Sequence, residues 1–82
     1  MNVFIENQSS YIHVQVQALG NKWSVMQVSG KHNYINIRKD TNNPFGGPGK
    51  DFPNWDAAQA HYKSPLMKAA IILAQSEINQ PL

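Results

Sequence analysis

The chain has 82 residues, no cysteine, 41% hydrophobic residues and a formal charge of +2. That length makes one domain with a modest core. The missing thiols exclude disulfides and thiolate zinc sites, and the small charge is a weak pull toward polyanions. No apolar run approaches the roughly 20 residues of a membrane span. The first residues, Met1-Asn2-Val3-Phe4-Ile5-Glu6, carry neither a basic n-region nor an apolar h-region. A single domain over 1–82, with no membrane association and a cytoplasmic setting, is therefore expected.

Val3-Phe4-Ile5 reads as a short edge strand, and Asn7-Gln8-Ser9-Ser10 as a turn. Tyr11 to Ala18 alternates apolar and polar residues with period two, the pattern of a half-buried strand. Gly20-Asn21 suits a two-residue hairpin loop, because both residues tolerate positive φ. Lys22 to Val28 is then the return strand, with Ala18 opposite Trp23 and Val16 opposite Val25. That pairing sets Ile12, Val14, Val16, Ala18, Trp23 and Val25 on one face, expected to be the core. His13, Gln15, Gln17, Ser24, Met26 and Val28 share the other face.

Ser29 to Asn33 is a second turn, and Tyr34 to Arg38 alternates again. Two registers are open for this strand, because a one-residue slip exchanges its faces. The register that buries Ile35 and Ile37 is preferred, which places Tyr34, Asn36 and Arg38 outside. Thr41 to Asp51 is a long loop rich in Gly, Asn and Pro, with Phe45 as an anchor.

Lys50-Asp51-Phe52-Pro53-Asn54-Trp55 marks the passage from sheet to helices. Asn54 is a good N-cap, and Asp56 suits the positive end of the helix dipole. Trp55, Ala58 and Tyr62 fall on one helical face. Ser64-Pro65 starts a second helix, with Ser as cap and Pro at the first position. Leu66, Met67, Ala70, Ile71, Ala74 and Ile78 form its apolar stripe. The predicted fold is α+β: an antiparallel sheet of three to four strands with two C-terminal helices on one face, in the order β-β-β-β-α-α.

Few groups are placed for chemistry. Gly46-Gly47-Pro48-Gly49-Lys50 lacks the hydroxyl that follows lysine in a phosphate-binding loop. His13, His32 and His61 lack metal-ligand spacing, so no metal or cofactor is expected. No serine sits in a G-x-S-x-G elbow, and Glu6, Asp40, Asp51, Asp56 and Glu77 are scattered. A non-catalytic protein is expected. The sheet face away from the helices carries apolar Met26 and Val28 among hydrogen-bonding side chains, the anatomy of a partner-binding patch. The candidate contact residues are His13, Gln15, Gln17, Met26, Tyr34, Asn36 and Arg38.

Lys22-Trp23 opening a strand, with Phe52, Ala58 and Tyr62 after it, resembles the three-stranded-sheet DNA-binding modules of the AP2 and integrase arm-binding type. That resemblance implies a sheet reading the major groove. Here only Arg38 and Lys22 serve as cations on the reading strands, so DNA binding by such a sheet would be weak. The whole-chain layout is similar to small phage anti-CRISPR proteins of the type I-F group. It shares the short first strand, the hairpin beginning at Tyr11, the Lys50-Asp51-Phe52 entry and the last helix. This resemblance implies an inhibitor that docks on a nucleoprotein through its sheet face, without catalysis. A homodimer through Ile72 and Leu73, on the outer face of the second helix, is a further expectation.

Overall fold

The computed structural model describes residues 2–30, 33–39, 41 and 49–79. Among these residues, five strands precede two helices: β1 (Asn2–Asn7), β2 (Tyr11–Ala18), β3 (Asn21–Val28), β4 (Tyr34–Lys39), β5 (Lys50–Phe52), α1 (Trp55–His61) and α2 (Pro65–Ile78). The strands form one antiparallel sheet in sequence order, β1-β2-β3-β4-β5. The fold class agrees with the pattern in the sequence, but the sheet has a fifth strand. The loop expected to run to Asp51 ends earlier, because Lys50–Phe52 pairs with Ile35–Ile37. This pairing sets Phe52 opposite Ile35 on the core face.

The first hairpin turns one residue earlier than the sequence suggests. Leu19 and Gly20 take φ values of 52° and 79°, so they are the two loop residues, and Ala18 pairs with Asn21. Val16 therefore faces Trp23 and Val14 faces Val25. The expected partners are displaced by two positions, which preserves every side chain's face. The physical reason is end-to-end alignment. In the observed register the two eight-residue strands pair over their whole length, from Ala18–Asn21 to Tyr11–Val28. The expected register would have run Tyr11 out against Gly30. An aromatic residue opposite a β-branched one is also a favourable cross-strand pair. These gains outweigh the strain of an L-residue at Leu19, and the Asn21 side chain donates to the Leu19 carbonyl at 3.3 Å.

Ile35 faces Gln27 and Ile37 faces Val25, so β4 adopts the preferred register. The core lies between this sheet face and the helices. Val14, Val16, Val25, Ile35, Ile37 and Phe52 pack with Ala58, Met67, Ala70, Ile71, Ala74 and Ile78. Ala70 and Ala74 are fully buried, and their small side chains let α2 lie close to the strands.

Both helix starts follow the cap logic. Asn54 Oδ1 accepts from the Ala57 N–H at 2.8 Å, and Ser64 Oγ accepts from the Met67 N–H at 3.3 Å. Pro65 stands at the first position of α2. Phe52 rests against the rings of His61 and Tyr62, with centroids 5.4 and 5.8 Å away. Trp55 Nε1 donates to Gln27 Oε1 at 3.3 Å, tying α1 to β3. Gln59 and Gln75 join the two helices through a 3.0 Å bond. Phe45, His32 and the Gly46-Gly47-Pro48 segment lie outside the described residues.

Candidate functional site

The sheet face opposite the helices is organised in rows that cross the strands. One row runs Glu6–His13–Met26–Asn36–Asp51 over all five strands. Beside it lies Phe4–Gln15–Ser24–Arg38, and on its other side Tyr11–Val28–Tyr34. All seven candidate contact residues share this face.

Their exposure divides them. His13, Met26 and Asn36 are only 1%, 4% and 6% exposed. The expectation that these three present themselves on an open face is corrected by this burial. Each is an interior member of the middle row, with same-face neighbours on both adjoining strands and in the flanking rows. Gln15, Gln17, Tyr34 and Arg38 keep part of their surface in solvent. Phe4, Lys22 and Asp51 on the same face are exposed.

The buried centre is pinned by polar contacts. Ser24 Oγ lies 2.7 Å from His13 Nε2, and Ser24 has no exposed surface. Burial lowers the His13 pKa below its usual value, opposed by the nearby Glu6 carboxylate. The imidazole therefore favours its neutral form, which retains a ring nitrogen able to accept from the serine hydroxyl. At one end of the row, Asn36 Nδ2 donates to Asp51 Oδ1 at 2.7 Å. Among the described residues, Asn36 Oδ1 is buried without a hydrogen-bond partner. At the other end, the Tyr11 hydroxyl donates to Glu6 Oε1 at 3.3 Å.

Ser24, His13 and Glu6 stand on three adjacent strands, which is the order of a nucleophile, a base and an acid. Catalysis needs a nucleophile that substrate can reach. The closed surface of Ser24 fits a structural hydrogen bond instead. The sequence reading missed this pair because of the hairpin register. With Ala18 opposite Trp23, His13 faces Val28 and stands far from Ser24. With Ala18 opposite Asn21, His13 faces Met26, and Ser24 becomes its diagonal neighbour.

Gly49 has a spatial purpose that its place in a Gly-rich run conceals. A Cβ there would overlap the Arg38 guanidinium, so the arginine side chain lies across the glycine. At the far corner of the face, Gln17 and Lys22 border an open recess of about 280 Å³ beside the hairpin tip. That is at the small end of ligand-pocket sizes, and its lining is mainly polar. Among the described residues there is no cluster of three potential metal ligands, and no helix long and apolar enough to cross a membrane. No protein-family model, curated protein or solved structure matches the chain.

Proposed function

We propose that this protein is a non-catalytic inhibitor, carried by a phage or mobile element, that captures a protein or nucleoprotein partner on the sheet face away from its helices. The observation that carries this reading is the division of that face. Its centre is held by the His13–Ser24 and Asn36–Asp51 contacts, and Gln15, Gln17, Tyr34 and Arg38 stand around it with part of their surface in solvent. A fixed centre lowers the ordering cost of binding. Tyrosine and arginine are the residue types that most often dominate interface energy, so Tyr34 and Arg38 are the anchors, and the glutamines supply complementarity around them. His13, Met26 and Asn36 support the surface from beneath.

The layout resemblance selects the partner to try first. Purified type I-F CRISPR nucleoprotein, titrated with this protein, is expected to lose target-DNA binding at stoichiometric addition. Undiminished DNA binding, with no complex on gel filtration, would reject the inhibitor reading. A second reading, weak duplex-DNA binding, draws on Lys22 and Arg38. Arg38 pairs with Ser24, and Lys22 stands two residues from Ser24 on the same face. It predicts a gel shift at low salt that disappears steeply as salt rises. Absence of a shift at low salt removes it.

A further inference from the structure

Among the described residues, β1 is an outer strand of the sheet with no strand beyond it. Half of its backbone N–H and C=O groups point away from β2, as in any edge strand. Proteins ordinarily blunt such edges with lysine, proline, a bulge or brevity. The opposite edge follows that rule: β5 has three residues and opens on Lys50. β1 does not. It has six residues, Asn-Val-Phe-Ile-Glu-Asn, and pairs without a bulge from Asn2–Gln17 to Asn7–Ile12. Phe4 is 62% exposed and Ile5 45%.

We infer that β1 is a self-association edge, which a second copy of this chain pairs with antiparallel about a twofold axis at Phe4. A second copy fits this edge because the strand is self-complementary. A twofold seam keeps each sheet face continuous, so paired residues must share a face, and their numbers must sum to an even value. Only the register centred on Phe4 pairs Val3, Phe4 and Ile5 entirely among themselves. Phe4 meets Phe4 of the second copy, and Val3 meets its Ile5. Asn2 meets its Glu6, so each carboxylate faces an amide. The two Glu6 carboxylates are offset by four residues, about 13 Å along the strand. That exceeds the Debye length of about 10 Å at 0.1 M salt. The formal charge of +2 on each copy adds little repulsion. Val3 already packs against the core, so the seam is continuous with the apolar layer beneath the helices. One strand pair buries less than the roughly 1,200 Å² of a standard interface. The dimer is therefore a weak, concentration-dependent one. The inference is independent of the proposed function, since no residue of β1 is among the proposed contact residues.

Sedimentation velocity from micromolar to near-millimolar protein tests it. The wild type is expected to move from monomer to dimer mass across that range. Phe4→Lys sets two like charges directly opposite each other and is expected to weaken the dimer by at least about tenfold. Ile5→Lys, pointing to the other face, repeats the test should Phe4→Lys melt early. Ile72→Lys, on the exposed side of α2, is expected to dimerise as the wild type does. A wild type that stays monomeric throughout overturns the inference. So does a dimer that survives both β1 variants, or one lost in Ile72→Lys instead.

Discussion

Ser24 Oγ and His13 Nε2 meet at 2.7 Å in the middle of the sheet face that carries no helix. Both side chains are closed to solvent. Removing one member leaves the other buried and unpaired, which costs about 1–3 kcal/mol. Ser24→Ala is therefore expected to lower the thermal midpoint of this small domain by roughly 5–20 °C, at about 4–8 °C per kcal/mol. A melting curve followed by circular dichroism measures it. A midpoint within a degree of the wild type would show that the contact contributes nothing.

The same pair makes stability depend on pH. Burial lowers the His13 pKa in the folded state below the ordinary histidine value of about 6.5, which the unfolded chain keeps. Between the two values the unfolded chain binds the proton and the folded chain does not, so stability rises with pH there. The stabilisation is complete above about 6.5 and is lost as the pH falls through that value toward the folded pKa. Denaturant titrations at pH 7.5 and pH 5 should show this decline, taking about pH 7.5 and 5 as points either side of an ordinary histidine. His13→Gln should flatten it; an equal decline in that variant would assign the dependence elsewhere.

Leu19 sits at φ 52° and is 87% exposed. An L-residue in that region is strained by about 1–2 kcal/mol, and asparagine tolerates it better. Leu19→Asn gives the Asn-Gly pair that this turn type prefers and gives up almost no buried surface. A gain of about 0.5–1 kcal/mol in urea unfolding is expected. An unchanged or lowered midpoint would contradict the assignment of Leu19-Gly20 as the loop.

Gly49→Ala tests how Arg38 is placed. The new Cβ would meet the guanidinium and also the Cγ of Arg38, so the side chain must swing aside. Its far end is flexible, and the expected stability change is below about 1 kcal/mol. Partner capture should nevertheless fall as it does in Arg38→Ala. Full capture by Gly49→Ala would mean that the position of Arg38 across the glycine is not the binding one.

How far these features were readable in the sequence varies with their physical origin. Asn54, Ser64 and Pro65 act on backbone groups within their own helix turn, so the helix starts were visible in local residue types. The face of β4 was visible because only one register buries Ile35 and Ile37. The hairpin tip was not, because Gly20-Asn21 is the better turn by local preference. What decides it is pairing along the whole of both strands. β5 escaped because three residues are too few to show alternation, and Phe52 announces the core without announcing a strand. Alternation also says which side of the sheet His13, Met26 and Asn36 occupy, but not that they are buried there. The site was thus legible as a face and not as a division between a buried centre and a partly exposed rim.

Tyr34 and Arg38 are the proposed anchors of partner capture. The most direct measurement is a calorimetric titration of type I-F CRISPR nucleoprotein with the wild type, Tyr34→Ala and Arg38→Ala, each first shown to melt as the wild type does. Tight wild-type binding that each substitution weakens by about 2 kcal/mol or more, some thirtyfold, is the predicted result. Binding of wild-type strength by both variants would contradict a role for Tyr34 and Arg38 as anchors.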